Sequence, residues 1–432
     1  MAQSLKIIRL PPKLSRVLII ATALICLFAS WYSVRWHFAN AVAPTFDRGL
    51  PESPLIAEML TGIAPDDPQV HTAAAVTFER TFDPGDLERS IREYELAAAS
   101  SQHNYLLWLN LGRARSVTGD IEGARAAFTH ALDLAPNYAS VQWAYGNFLI
   151  RQQQVAEGFA LIAKAAGADL EYARAAAVMS LEIFEGDVEQ ALNALGQSDA
   201  SNAALQAALL AAGRHEDAVN AWSRISDAGR RASYKAASEK LATDLIGLKK
   251  FSLAARVLAF LGSTEEAPVA GRIANGGFET VVKMRDAGPF EWQITEGASP
   301  QIGMGESSPQ AGQYHLAVVF NSFETAAFRN ISQTIVVSPG AIYQLQGHYK
   351  SDVKTAATLY WEVANAATTG TLAKSEPLTP VAVWTPFSIR FTAPSDADAV
   401  TVRFTREGCA GPSCPTNGMI SFDSFSMELI DQ

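Results

Sequence analysis

Seven histidines and three cysteines are the soft ligands and nucleophiles available to this chain of 432 residues. The histidines fall singly along it, and no G-x-S-x-G, H-E-x-x-H, phosphate-binding P-loop or C-x-x-C run occurs. Serine hydrolase, zinc protease, nucleotide and thiol-redox chemistry each lack their motif, so the chain is expected to be no enzyme. Cys26 lies inside an apolar run, while Cys409 and Cys414 are separated by four residues in the stretch CAGPSCP. Such a pair reads as a small surface disulfide or as half of a zinc site. Zinc needs four ligands, and no histidine or second pair lies near in sequence, so the disulfide is favoured.

The residue spacing with the most information is structural. From Tyr105 the chain reads Trp108, Leu111, Gly112, Gly119, Asp120, Ala124, Phe128, Ala131 and Pro136. Gly112, Ala124 and Ala131 are small where two antiparallel helices must approach, and Trp108, Leu111 and Phe128 fill the space between them. Gly119 and Asp120 turn the chain and Pro136 stops the second helix. The pattern recurs at a period of about 34 residues, back to Gly85, Asp86, Ser90, Tyr94 and Ala97 and on to Tyr145, Gly146, Gly158, Ile162 and Ala165. Weaker units follow around Gly186, Gly213 and Leu241, for six helix pairs in all. The segment resembles the tetratricopeptide repeat. That resemblance implies a protein-binding solenoid whose concave face here selects Phe82, Leu106, Leu109, Arg113, Trp143, Asn147 and Arg151, where apolar rings beside Arg and Asn suit an extended peptide.

A chain of this length exceeds one core, and 48% apolar against 18% charged residues is the balance of a globular protein. The net charge of −10, with no basic cluster after Arg16, excludes a nucleic-acid surface. From Val17 to Val34 no residue is charged, and Trp31 and Tyr32 stand at the end of the run, where aromatic rings favour a membrane interface. Lys6, Arg9, Lys13 and Arg16 precede it, and the first acidic residue is Asp47. The positive-inside bias therefore predicts a cytoplasmic N-terminus at 1–16, a single transmembrane helix at 17–36 in the inner membrane, and an exported remainder in the periplasm or outside the cell. The small-x-small run Ala41-Val42-Ala43 also fits a signal-peptide cleavage site, but Pro44 directly after it and the charged stretch from Arg35 favour a retained anchor.

Prolines 44, 51, 54, 65 and 68 mark residues 37–70 as a linker that holds the repeats at 71–262 off the membrane, with one short helix around Ile56 to Leu60. At 268–432 the composition shifts to short runs rich in Val, Ile, Thr, Phe and Tyr. Strands are expected at Tyr314–Phe320, Ile331–Val337, Ile342–Tyr349, Thr358–Val363, Phe387–Thr392, Val400–Thr405 and Met419–Ile430. The predicted fold class is therefore multidomain: a transmembrane helix, an all-α tetratricopeptide-type solenoid, then an all-β jelly-roll sandwich.

In this last domain the opening Asn275-Gly276-Gly277-Phe278-Glu279, Trp292, the run Val337-Ser338-Pro339-Gly340, Trp384 and the closing Phe422-Asp423-Ser424-Phe425 resemble the jelly-roll carbohydrate-binding modules of bacterial cellulases and xylanases. The resemblance implies a structural calcium ion held by Glu279 and Asp423; the alternative is that both only bond the backbone. It also implies sugar stacking on exposed rings, for which the candidates are Trp361, Tyr360, Tyr349 and Trp292. Alternation places Tyr360 and Trp361 on opposite faces of one strand, so at most one of these two serves a cleft. A two-carboxylate glycosidase site would need a cleft in a fold that normally only binds.

The expectation is a non-catalytic, membrane-anchored adaptor or scaffold that binds protein through the repeats and a polysaccharide through the sandwich, in envelope or exopolysaccharide assembly. The competing expectation is an assembly chaperone for exported proteins, similar to cytochrome-maturation helpers, whose sandwich contacts only protein.

Overall fold

The computed structural model describes residues 11–44, 53–81, 83, 85–196, 198–262, 267–324, 328–409 and 411–431. An N-terminal apolar helix, a helical repeat array and a C-terminal sandwich of two antiparallel sheets follow one another along the chain. By packing they fall into two compact units, residues 1–204 and 205–432.

Helix α1, Pro12–Val42, is 31 residues long, about 46 Å at ~1.5 Å per residue, and is long and apolar enough to cross a membrane. Its C-terminal end is packed: Ala39 and the C-cap residue Ala43 share a core with Ala57 and Leu60 of α2 (Ser53–Ile63), with Ala64, and with Val70, Ala74 and Phe78 of α3 (Pro68–Thr81). The described residues of the stretch 37–70 are thus largely helical, and Ala39, Ala43, Ala57, Leu60 and Ala64 in it are packed in a core rather than strung along a spacer. Its prolines misled because Pro54 and Pro68 sit in the first turns of α2 and α3, where a missing N–H costs nothing and the fixed φ suits a helix.

The array continues as hairpins: α3 with α4 (Asp86–Ser100), α5 (Tyr105–Thr118) with α6 (Ile121–Leu134), and α7 (Ala139–Arg151) with α8 (Val155–Ala168). Next come α9 (Leu170–Ile183) and α10 (Val188–Leu195), α11 (Asp199–Ala211), α12 (His215–Ser223) and the short α13 (Asp227–Arg231). The pair α14 (Lys235–Gly247) and α15 (Phe251–Leu261) ends the series. The small residues sit where the spacing put them. A Cβ on Gly112 would stand 2.9 Å from the Phe128 ring, and one on Gly158 would stand 2.8 Å from the Gly146 carbonyl. Gly119 turns the chain at φ +84°, and Asp120 then caps α6 by accepting the Gly123 N–H at 3.0 Å.

Eleven strands are described in the sandwich: β1 (Gln293–Ile294), β2 (Gln301–Gly305), β3 (His315–Glu324), β4 (Ile331–Val336), β5 (Ile342–Ser351), β6 (Lys354–Thr355), β7 (Thr358–Asn365), β8 (Thr371–Lys374), β9 (Val381–Thr392), β10 (Ala399–Glu407) and β11 (Ser413–Asp431). One sheet runs β1-β4-β10-β7-β8 and the other β2-β3-β11-β5-β9, with β6 paired to β11. Trp361, Val402 and Phe404 of the first sheet meet Leu316, Phe320, Leu345 and Phe422 of the second in one core. Strand β9 starts six residues before the expected Phe387, because its first half is exposed and shows no alternation; Pro386 is tolerated there at a sheet edge. Within the unit 205–432, Asp398 just before β10 accepts the N–H groups of Phe251 (3.2 Å) and Ser252 (2.8 Å) and the Ser252 hydroxyl (2.5 Å), capping α15.

Candidate functional site

The first helices of two successive hairpins, α5 and α7, carry the candidate groove residues that lie among the described ones. Leu106 on α5 is 46% exposed, and Arg113, two turns on, is also exposed. On α7, Trp143 is half-buried and stacks on Tyr172 of α9 with ring centroids 5.0 Å apart, so it both packs between repeats and offers an edge to solvent. Asn147 donates its amide to the Trp143 carbonyl at 2.8 Å, and exposed Arg151 reaches back to the Ser116 hydroxyl of α5 at 3.5 Å. Leu109 does not belong to the groove: it is 2% exposed and packs with Phe128 and Phe148, because the fifth position of this unit points between the helices of the hairpin. Phe82 lies outside the described residues. Tyr172, Asn110 and Val117, which spacing did not single out, add to the same helices.

At the N-terminal end of the array lies a cavity of about 640 Å³, whose lining includes Asn40 of α1 and Ala43 just after it, Thr72 and Val76 of α3, and Leu106 and Asn110 of α5. Beside it, His71 is buried between the Glu93 carboxylate on Nδ1 (2.5 Å) and the Pro65 carbonyl on Nε2 (2.7 Å). Burial pulls its pKa down, but the hydrogen bonds to Glu93 and Pro65 and the charges of Glu93 and Asp67 outweigh that and raise it. Asp67, in turn, accepts the Asn40 amide and the Gln69 N–H, tying α1 to the start of α3.

The four rings expected to stack on sugar are all buried, Trp361 fully and Trp292, Tyr360 and Tyr349 nearly so, and all but Tyr360 belong to the core between the sheets. Trp361 meets Trp292, Phe404, Phe422 and Phe425, and Tyr349 faces inward against Phe387. Tyr360 does lie on the opposite face, as alternation requires, but Lys374 covers its ring at 4.5 Å and bonds its hydroxyl at 2.9 Å. Beside it Glu362 is engaged by Arg403 and Thr371, so this face presents a closed polar lattice. What the sandwich exposes instead is Phe323, 71% accessible, next to Asn321, whose cross-strand partner is Asn417.

Glu279 and Asp423 do approach one loop, 306–314, but they receive its N–H groups. Asp423 accepts from Gln310 (2.8 Å) and Ala311 (3.2 Å), and Glu279 from Gln313 (3.0 Å) and Tyr314 (3.3 Å). Lys350 and the Trp384 indole hold the carbonyl of Ser308 in the same strap at 2.9 and 3.0 Å. Both carboxylates thus bond the backbone of this strap, the alternative to a shared calcium ion. Among the described residues no group of three His, Cys, Asp or Glu side chains is placed to hold a metal ion. His315, the residue after the strap, is buried with its ring edge-on to Trp384, and its pKa is lowered by desolvation and then by Lys350 against the opposing pull of Asp423. Cys409 and Cys414 are bonded, with Cα atoms 5.6 Å apart.

No protein-family model matches the chain, and no curated protein sequence matches it significantly. Among solved structures, one described as "CBM4 structure and function" is 18% identical, spans 36% of this chain and 99% of its own, and has a TM-score of 0.27. A TmCBM61 complex with beta-1,4-galactotriose is 13% identical over 37% of this chain and 99% of its own, at 0.27. A MamA structure (MSR-1) is 23% identical over 31% of this chain and 74% of its own, at 0.26. These likenesses concern shape alone and say nothing of ligands.

Proposed function

We propose that the chain is a non-catalytic adaptor anchored in the inner membrane by α1, with the repeats and sandwich on the exported side, and that it holds an extended protein segment in the repeat groove. The observation that carries this is the line of Leu106, Arg113, Trp143, Asn147 and Arg151, solvent-reachable on two successive inner helices, with apolar surface for side chains and amide or guanidinium donors for a peptide backbone. Retention of the anchor is supported by Ala43, 6% exposed: a signal-peptidase cut beside it would sever packed structure. Peptide-array binding by the full chain tests the groove. Arg113→Ala with Trp143→Ala should abolish array signal while helical content by circular dichroism stays unchanged, and an unaltered array pattern would place the site elsewhere.

For the sandwich we infer a glycan contact on the outer face of the sheet containing β3 and β11, in support of envelope or exopolysaccharide assembly. Exposed Phe323 favours this, since a ring flanked by the Asn321 and Asn417 carboxamides suits a pyranose face and its hydroxyls. A glycan array with the full chain and with Phe323→Ala separates this from the chaperone reading, in which neither protein retains any sugar.

A further inference from the structure

The cavity at the start of the groove has a wall that a free-standing solenoid would lack, namely the last turn of α1. Asn40 lies six residues beyond Val34, the end of the uncharged run, which is about 9 Å along the helix at ~1.5 Å per residue. With a hydrocarbon core of about 30 Å and headgroup layers of roughly 5 to 7 Å on each side, this wall stands at the membrane surface. The continuous helix and its packing against α2 and α3 fix that height.

The lining chemistry selects the occupant. Among the described residues no Asp, Glu, Lys or Arg side chain lines the cavity, which is a poor match for a phosphate headgroup, since phosphate recruits cations. Four carboxamides, Asn40, Gln69, Asn104 and Asn110, are also a poor match for an acyl chain. Among the described residues those of Gln69 and Asn110 have no hydrogen-bond partner, and each offers both donor and acceptor. The Thr72 and Thr77 hydroxyls donate to carbonyls one turn back (2.6 and 2.8 Å) and keep lone pairs for an incoming N–H. Alternating donors and acceptors beside the apolar Val76, Leu106 and Leu107 match an uncharged extended backbone.

We propose that this cavity receives the uncharged segment of a second membrane-anchored polypeptide at the point where that polypeptide leaves the bilayer beside α1, with more distal, acidic residues of the partner meeting Arg113 and Arg151. The proposal rests on the groove reading above and adds to it the source of the peptide and its order of chemistry. The anchor helix then does two things: it tethers the chain, and it restricts the groove to partners presented at the same membrane surface.

The test uses the full chain in phosphatidylcholine–phosphatidylethanolamine nanodiscs with a photo-crosslinking residue at Leu106 or, separately, at Arg151. The probe is a synthetic leucine-rich span followed by a short Ser/Ala/Asn stretch and then glutamates. Labelling at Leu106 should exceed by at least tenfold that of the same tail without its span and that of a span carrying the glutamates first. Thr72→Arg, which places charge in the cavity, should remove labelling at Leu106 while labelling at Arg151 persists. Equal labelling by the soluble tail would overturn the membrane-adjacent source and leave the groove reading standing. Labelling at neither position by any tail would overturn both. Preferential labelling of Leu106 by an azido-phosphatidylethanolamine would make the cavity a lipid site and end the proposal.

Discussion

The strap 306–314 is where the sandwich's two carboxylates can be made to declare their role. Asp423 is wholly buried; its Oδ2 takes the Gln310 and Ala311 N–H groups and its Oδ1 takes the Ser424 N–H at 2.6 Å. In Asp423→Asn the charge is lost, and whichever way the amide turns, an NH2 faces an N–H. Hydrogen bonds to a charged group are worth about 1.5 to 3 kcal/mol each, so losing the two to the strap and stranding its donors should cost about 3 to 5 kcal/mol. Because the strap can lift without unfolding both sheets, the effect is best read locally, by amide hydrogen exchange in the full chain. At ~1.4 kcal/mol per tenfold, protection of Gln310 and Ala311 should fall by about two orders of magnitude or more, while Val318 and Phe422 in the sheet keep theirs. Chelator should change neither protein. If chelator instead strips protection from the strap in the native chain and has no effect on Asp423→Asn, a cation holds the carboxylates, and the reasoning from N–H geometry fails.

Leu109→Ala should destabilise the repeats by about 2 to 5 kcal/mol in urea unfolding and leave peptide affinity per folded molecule unchanged, because its side chain fills the hairpin and not the groove. Asp398→Ala removes the cap of α15 and should cost about 1 kcal/mol, read as faster exchange of the Phe251 and Ser252 amides with the β10 amides unaffected. Cys414→Ser opens a short loop and should cost about 2 kcal/mol at most; a larger loss would mean the bridge does more than restrict local chain entropy. The two buried histidines should give opposite pH responses. The raised pKa of His71 means that its contribution is complete below its unfolded value, about 6.5, and is lost as pH rises through the folded value; the lowered pKa of His315 makes its contribution complete above that value and lost as pH falls through the folded one. Melting followed between pH 5 and 8 should show these slopes vanish in His71→Gln and His315→Gln respectively, and a slope that survives its substitution would assign it to another group.

The solenoid was readable because close helix approach forbids a side chain at fixed positions, and those positions recur: Gly112 against Phe128, and Gly146 against Gly158, are steric facts written in residue type. The sandwich was readable as strands for a parallel reason, since alternation along β4, β5 and β10 exposes one face and buries the other. Alternation tells that two faces exist but not what covers the outer one, so Tyr360 lies on the face opposite Trp361, as alternation requires, and yet sits under Lys374. Aromatic residues in so small a two-layer core are recruited first for packing, and a ring left in water, such as Phe323, draws notice only once its neighbours are known. The same limit governs the anchor. Nothing local to Asn40 or Ala43 shows that they wall a cavity, because that depends on α3 and α5 arriving from residues 68 to 118; the prolines between them, which announce helix starts, look from sequence alone like the marks of a linker. Local rules therefore found the surfaces that repeat and missed those assembled from distant segments, and the strap, the α15 cap and the membrane-side cavity are all of the second kind.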